Sequence, residues 1–332
     1  MWNVSSHFTV SGIQRVMSQP RPTYHSGELE VQRRAGVRNR ADDVGRIIAG
    51  AIPMDLGPLL AEFRLAVAAS IDPRGRVWAS LLTGPAGFLD IVDETRLHIG
   101  ARVAPGDPLR TNLAGRPEMG LLVLDPATRR RLRFNGRGAV ERDGGFSLSV
   151  EQVYGNCRKY IQARHLHEET GQDHEAGVAS ETPGGGQPGT PVRSPLLSPA
   201  QQAWIGAADT FFIASAHSDG GADASHRGGR PGFVRVGGDR TLSFPDYPGN
   251  NMFNTLGNLA ADPRAGLLFV DFARGDLLQV TGRARLVWGP EAVARHRGAQ
   301  HVVVEYEIDE VLETPGGSPL RGTVVEPSPF NP

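Results

Sequence analysis

The chain contains little cysteine, few aromatic residues, no excess of either charge and no long apolar run. Its single cysteine, Cys157, excludes an intrachain disulfide framework and is typical of a reducing compartment, so we expect a cytoplasmic location. No apolar run approaches the roughly 20 residues of a membrane span, and the first residues alternate polar and apolar types instead of forming a secretory leader. The net charge of −1 lacks the basic excess that nucleic-acid binding requires. We therefore expect neither membrane nor nucleic-acid partners.

Glycine and proline are abundant, with 42 and 25 residues in a chain of 332. Residues 64–84 ("RLAVAASIDPRGRVWASLLTG") place two apolar, β-branched runs around an Asp-Pro-Arg-Gly turn, which predicts a β-hairpin. Further short apolar runs follow, and they do not alternate with long helical patterns. The sequence therefore predicts a mainly β fold with short helices, built as an antiparallel barrel or sandwich.

The chain repeats itself. Residues 112–140 align with 258–286 without a gap at an offset of 146 (258 − 112 = 146), and 12 of 29 positions are identical. About two identities are expected from ordinary composition. The identical pairs are mostly apolar residues or turn formers: Asn112/Asn258, Leu113/Leu259, Ala114/Ala260, Pro117/Pro263, Gly120/Gly266, Leu121/Leu267, Leu122/Leu268, Asp125/Asp271, Ala127/Ala273, Leu132/Leu278, Gly136/Gly282 and Arg137/Arg283. The repeat therefore predicts two copies of one β domain, and two copies are too few for a solenoid.

The composition also predicts domain boundaries. Residues 167–198 contain almost no apolar residues and cannot bury enough surface to offset their ordering entropy, so they are predicted to be a flexible linker. Ser198 followed by Pro199 is a helix start. The predicted organisation is a polar extension (1–45), a first barrel (46–166), the linker (167–198), a second barrel (199–315) and a tail (316–332).

Residues 244–288 ("FPDYPGNNMFNTLGNLAADPRAGLLFVDFARGDLLQVTGRARLVW") resemble the pyridoxamine 5'-phosphate oxidase-like family of FMN-binding split β-barrels. The resemblance covers 205–312 well and 60–160 more weakly. In that family two barrels pack together and flavins lie in the seam between them. The resemblance therefore implies that this chain folds as two tandem split barrels packed as a covalent pseudo-dimer, with FMN as its cofactor.

The resemblance also implies a phosphate site. In the family an arginine on the second strand and a turn before a helix hold the flavin phosphate, and Arg227 and the turn Gly249-Asn250-Asn251-Met252 match these positions. Asparagine amides and free N–H groups at a helix start can bind phosphate, and paired glycines let the backbone approach a flavin ring. The predicted cofactor-binding residues are Ser225, His226, Arg227, Gly228, Gly229, Asn250, Asn251, Thr255 and Lys159.

The first copy lacks these groups. It offers Trp78-Ala79-Ser80 in place of the arginine strand, and its turn carries Asp107, which repels phosphate. We therefore expect one flavin per chain, held mainly by the second copy. Three other features are predicted to be structural: the Arg129-Arg130-Arg131 run as a solvated edge, Cys157 as a half-buried thiol, and the histidines of His165-Leu166-His167, which lack a third metal ligand. No metal is expected.

The resemblance implies an FMN-dependent oxidoreductase that acts on a small molecule, as a monomeric pseudo-dimer or a homodimer. Its catalytic residues are not identifiable from the sequence. A true pyridoxamine phosphate oxidase is not expected, because the chain lacks that enzyme's Arg-x-His segment near its end. Three alternatives remain at this point: an electron-transfer partner of a separate reductase, a barrel rebuilt for haem or a deazaflavin, and a barrel without a cofactor.

Overall fold

The computed structural model describes residues 23–169, 188–218 and 221–332, so most of the predicted linker lies outside the described residues. The helices are α1 Ser26–Arg34, α2 Arg38–Gly45, α3 Gly57–Leu60 (after a 3-10 turn, Met54–Leu56), α4 Leu109–Gly115, α5 Pro199–Ala207, α6 Asn254–Ala261 and α7 Pro290–Ala294. None of these helices in the described ranges has the length and apolar character that a bilayer crossing requires.

The strands fall into two sets, one in each half of the chain. The first set is β1 Leu65–Ile71, β2 Val77–Thr83, β3 Leu89–Asp93, β4 Arg96–Ile99, β5 Glu118–Asp125, β6 Arg130–Val140, β7 Phe146–Gly155, β8 Ala163–Arg164 and β9 His167–Glu168. The second set is β10 Val192–Ser194, β11 Thr210–His217, β12 Gly221–Gly228, β13 Arg235–Val236, β14 Thr241–Pro245, β15 Arg264–Asp271, β16 Asp276–Trp288, β17 Val302–Thr314, β18 Leu320–Arg321 and β19 Val324–Glu326.

The two main sheets have the same topology. The first has the order β2-β1-β5-β6-β7-β4-β3 and the second the order β12-β11-β15-β16-β17-β14-β13, and all pairings are antiparallel. Each strand of one sheet therefore has a counterpart in the other at the same position. This equivalence confirms the mainly β prediction, and the sequence repeat corresponds to two copies of one fold.

The residues shared by the two copies have the same structural role in each. Asn112 of α4 donates to Ser70 (2.9 Å), and its counterpart Asn258 of α6 donates to Ser215 (2.9 Å), so each helix is attached to the first strand of its sheet. Gly136 and Gly282 lie at equivalent β-bulges, where a Cβ would come within 2.0 Å of a carbonyl oxygen on the neighbouring strand. The repeat therefore preserves the framework of the barrel.

Three large apolar cores and one small cluster (Tyr24, Ala41, Tyr154 and Met252) hold the described residues together. One fills the first barrel, one fills the second, and the third combines residues of both, including Val67 and Leu122 from the first copy with Phe212 and Leu268 from the second. This third core is the seam, where β1, β2 and β5 pack on β11, β12 and β15. The prediction of two barrels packed as a pseudo-dimer is confirmed.

Two backbone contacts, equivalent in the two copies, close the seam. A Cβ on Gly120 would lie 2.5 Å from the Ala222 oxygen, and a Cβ on Gly266 would lie 2.6 Å from the Val77 oxygen. Gly120 and Gly266 are equivalent in the repeat. A glycine of β5 therefore packs against β12, and its counterpart in β15 packs against β2. A side chain at either position would separate the sheets.

The ends of the described chain also pack onto the barrels. Residues predicted to form a polar extension include α1 and α2, and α1 packs on α6. In the predicted tail, β18 pairs with β9 and β19 pairs with β8, and β10 in the predicted linker pairs with β17. The domain boundaries remain predictions, with ordered strands at both margins of the predicted linker.

Candidate functional site

A cavity opens at one end of the seam, between the two barrels. The first barrel contributes β6 and the loop after β7, and the second contributes β12, the end of β14 and the start of α6. The polar residues lining the cavity are Arg131, Arg133, Asn156, Cys157, Lys159, Tyr160, Ser225, Arg227, Asp246, Tyr247, Asn250, Asn251, Asn254, Thr255 and Gln300. Seven of the nine predicted cofactor residues line it; His226 and Gly229 do not. Side chains alternate along a strand, so residues 225 and 227 face the cavity, while His226 lies behind its lining with Nδ1 3.5 Å from a guanidinium nitrogen of Arg131.

Arg227 lies in this cavity without a partner. Its half-buried guanidinium makes no hydrogen bond or ion pair with any of the described residues. Burial lowers the pKa of Arg227, and the nearest opposing influence is the carboxyl group of Asp246. Burial in turn raises the pKa of Asp246 to about 6, against the effect of Arg227. An unpaired buried cation costs free energy unless an anion joins it, so the cavity is suited to an anionic ligand.

The prediction that the Arg129-Arg130-Arg131 run is a solvated edge is wrong for Arg131. Its side chain lines the cavity, donates to the carbonyl of Cys157 and leaves its Nε without a partner among the described residues. Burial, with Arg133 and then Arg227 nearby, lowers the pKa of Arg131 to about 9. Arg130, which points the other way, is exposed and lies 3.4 Å from Glu62. Three guanidinium groups therefore converge on one cavity.

Arg133 connects the two barrels. From β6 of the first barrel it pairs with Asp223 of β12 (3.1 Å) and donates to Ser225. Ser225 in turn accepts a hydrogen bond from Thr255 of α6 (3.0 Å). Burial opposes the charge of Arg133, but Asp223 and Tyr154 raise its pKa overall. The first barrel thus supplies one wall of the cavity through a buried, hydrogen-bonded ion pair.

The turn before α6 forms the opposite wall. Asn250 donates to Asn156 (3.0 Å) and accepts from the amide of Met252 (3.1 Å). Asn251 and Phe253 both adopt left-handed backbone conformations (φ 62° and 59°), which is unusual for phenylalanine and typical of functional turns. Phe253 caps α6 without a side-chain bond. A left-handed residue followed by a helical one directs successive N–H groups toward a common point, an arrangement that binds anions.

With this geometry established, comparisons with known proteins show what the second half of the chain is similar to. Residues 197–320 match the family model described as pyridoxamine 5'-phosphate oxidase. Over these residues the second barrel is similar to the pyridoxamine 5'-phosphate oxidase family. The match begins just before α5 and ends at β18, so it contains β12 and the turn before α6. No curated protein matches the chain in sequence.

Solved structures resemble the chain at low sequence identity. They include a putative pyridoxamine 5'-phosphate oxidase from Lactobacillus delbrueckii (16% identity, TM-score 0.30, 36% of this chain and 94% of that one). HupZ from Group A Streptococcus is 12% identical (TM-score 0.28, 40% of this chain and 98% of that one). A protein from Mesorhizobium loti described as FAD-binding is 16% identical (TM-score 0.27, 38% of this chain and 98% of that one).

The equivalent position in the first barrel is filled by the chain itself. Asp107 accepts from Ser80 (2.8 Å) and from Gln279 (3.0 Å), and Gln279 also donates to the carbonyl of Ala79 (2.8 Å). Gln279 is the repeat counterpart of Arg133 (279 − 133 = 146), and strand pairing makes Ser80 the counterpart of Ser225. Burial raises the pKa of Asp107 to about 6. Where one end of the seam presents three arginines, the equivalent end therefore presents a buried carboxyl group.

Helix α1 holds the turn before α6 in place. Glu28 accepts from Asn254 (2.6 Å), and Gln32 donates to the carbonyl of Met252 (2.9 Å). The approach is close because both helices have glycine at the crossing: a Cβ on Gly27 would lie 2.2 Å from the Gly257 oxygen. Burial is the main cause that raises the pKa of Glu28 to about 7. Residues predicted to be an extension therefore support the site.

Glu28→Gln is expected to make the stability of the chain less dependent on pH. The folded protein holds the Glu28 proton more tightly than the unfolded chain, so Glu28 lowers stability progressively as the pH rises from about 4.5 to about 7. Glutamine can still accept from Asn254 without ionising. Urea unfolding should show the variant gaining roughly 1–3 kcal/mol relative to the wild type between pH 5 and pH 8.

Glu30→Gln is the matched control, because Glu30 lies on the same helix and is exposed. It should leave the pH dependence of unfolding unchanged. If Glu28→Gln and Glu30→Gln gave the same pH profile as the wild type, Glu28 would have to be ionised at no cost in the fold.

Proposed function

We propose that the seam cavity binds FMN and that the chain is a flavin-dependent oxidoreductase acting on a small molecule. The observation that carries this proposal is the convergence of Arg131, Arg133 and Arg227 on the turn before α6, with guanidinium atoms that have no partner among the described residues. A phosphate dianion matches this donor set in charge and in hydrogen-bonding capacity. The family match of the second barrel supports the same ligand class.

Each element of the cavity then has a distinct task. Arg227, Arg131 and the turn at Asn250 and Asn251 would hold the phosphate group, while Arg133, paired with Asp223, donates to Ser225 and keeps it in place. Aromatic side chains beside the cavity would exclude water, with the rings of Tyr160 and Tyr247 5.1 Å apart. Bound flavin would supply the hydride or electron chemistry, and the protein its position and electrostatic environment.

The asymmetry of the two barrels predicts one flavin per chain. At one end of the seam Arg227 of the second barrel and the Nε of Arg131 of the first have no partner among the described residues, whereas at the equivalent end Asp107 and Gln279 bond to each other. Titration of the purified chain with FMN, followed by quenching of flavin fluorescence and by the visible spectrum, should saturate at one flavin per chain. A reduced nicotinamide cofactor should then be tested as electron donor, both alone and with a separate flavin reductase.

The outcomes separate the alternatives. Saturation at two flavins would contradict the asymmetric site, and absence of FMN binding would contradict the proposed function. A haem spectrum in the protein as isolated would assign the cavity to a different cofactor. Reduction of the bound flavin only in the presence of the reductase would make the chain an electron-transfer partner.

A further inference from the structure

A second cavity adjoins the first on the outer side of the second barrel. It is lined by residues of the β12–β13 connection, the end of β14 and the segment after α7: Arg230, Pro231, Gly232, Phe233, Arg235, Pro245, Tyr247, His296, Arg297 and Pro332. Phe233, Pro245 and Tyr247 line both cavities. A molecule in contact with the far side of these three residues therefore lies one side chain away from the proposed flavin site.

The charged side chains that line this second cavity are all arginines. Arg230, Arg235 and Arg297 are exposed, and none of the residues that line it is an aspartate or a glutamate. Arg230 donates to a carboxyl oxygen of Pro332 (3.1 Å), the last residue of the sequence, whereas Arg235 and Arg297 form no ion pair with the carboxylate side chains of the described residues. On the adjoining sheet surface, by contrast, Arg285 pairs with Glu305. Arg235 and Arg297 thus remain available to a ligand.

His296 adds a neutral polar group to the same wall. It is buried, and its Nε2 lies 3.0 Å from the hydroxyl of Ser243. Burial, followed by the charges of Arg235 and Arg295, lowers its pKa, while a backbone hydrogen bond and Glu305 oppose this shift. His296 therefore does not add a repelling or an attracting charge near neutral pH, and recognition in this cavity depends on the arginines.

We propose that this second cavity binds a phosphate or carboxylate group of a molecule that lies against the flavin. The inference rests on the proposed function, since contiguity with the flavin site is what makes the anion part of a substrate or of a larger cofactor. Arginine forks bind such groups through two parallel N–H bonds. Two anion sites with one shared wall suit a reaction partner whose charged end points away from the flavin.

The test uses the FMN-loaded chain, in which FMN occupies the first anion site, and inorganic phosphate as the probe, followed by titration calorimetry. The variant Arg235→Gln/Arg297→Gln removes two charges from the cavity and leaves the flavin site intact. The control Arg240→Gln/Arg283→Gln removes the same charge from exposed positions that line neither cavity. We expect at least tenfold weaker phosphate binding in the first variant, no change in the control, and weaker binding at high salt.

Equal phosphate binding by wild type and by Arg235→Gln/Arg297→Gln would overturn the inference, even if FMN bound normally. Failure of FMN binding would overturn the proposed function, and phosphate titration of the cofactor-free variants would still test the cavity. Comparison of FMN with FAD identifies the source of the anion. A preference for FAD that is lost in the variant assigns the cavity to the distal part of a cofactor; equal binding of FMN and FAD with loss of phosphate binding assigns it to the substrate.

Discussion

Arg227→Ala is expected to weaken FMN binding about tenfold to a hundredfold while leaving the fold intact. Loss of a charge-assisted partner of a phosphate dianion costs roughly 1.5–3 kcal/mol of binding free energy. The fold should tolerate the change, because Arg227 contributes no hydrogen bond or ion pair to any described residue and is partly desolvated. Fluorescence titration with FMN and urea unfolding of the same preparation measure the two quantities separately.

Two further arginine variants make this prediction specific. Arg133→Ala should weaken both FMN binding and stability, because it leaves the buried carboxylate of Asp223 without its ion pair, at a cost of about 3–5 kcal/mol. Arg130→Ala, one position away from the cavity-facing side of β6 and exposed, should change neither. FMN affinity of Arg227→Ala equal to that of the wild type would remove Arg227 from the phosphate site.

The residues of the second barrel were predictable because local sequence determines them. The turn at Asn250 and Asn251 precedes a short helix, and Arg227 lies on a short strand, so both could be matched to a family pattern. His226 was also predicted to bind the cofactor, but it does not line the cavity, because side chains alternate along the strand. Alternation alone would have selected Ser225 and Arg227.

The contribution of the first barrel was not predictable in the same way. Arg131 and Arg133 reach the cavity only because β6 pairs with β7 in one register and the two barrels pack at one angle, and neither is encoded locally. The exposed thiol of Cys157, expected to be half-buried, also lines the cavity because of this packing. The sequence signal for this contribution is the alternation of arginines at residues 129, 131 and 133, which would place them on one face of a strand. Runs of charged residues are usually solvated, and that general tendency predicts the opposite.

The role of helix α1 was also not predictable from the sequence. Its sequence is polar, and nothing in its pattern indicates burial of Glu28 and Gln32. Their burial depends on the glycine contact between α1 and α6, where the backbones approach closely enough for side chains to reach the turn before α6. Tertiary packing, rather than an apolar face, decides the role of this helix.

Valine at either seam glycine is expected to destabilise the fold about as much as Arg133→Ala does. At Gly120 a Cβ would lie 2.5 Å from the oxygen of Ala222, and at Gly266 2.6 Å from that of Val77, and both contacts are with backbone that cannot move without separating the sheets. Overpacking a rigid core typically costs 1–3 kcal/mol, and backbone clashes on this scale should cost about 3 kcal/mol or more. Thermal unfolding of each variant measures the loss.

The same pair of variants distinguishes damage to the seam, measured as lost stability, from damage to the proposed flavin site, measured as lost FMN affinity. The Cβ of Gly120→Val would also come within 2.6 Å of the Cα of Asp223, the partner of Arg133, so this variant should lose FMN affinity as well as stability. Gly266→Val presses on Val77 and Trp78 instead, at the equivalent position that Asp107 and Gln279 fill, and should lose stability with the FMN affinity of its folded fraction retained. Gly206→Ala, in α5 with no atom within 4 Å of the new Cβ, is the control and should be neutral or slightly stabilising. Equal loss of FMN affinity in both valine variants would mean that the cofactor senses the seam as a whole, and that the asymmetry between the two barrels does not localise the site.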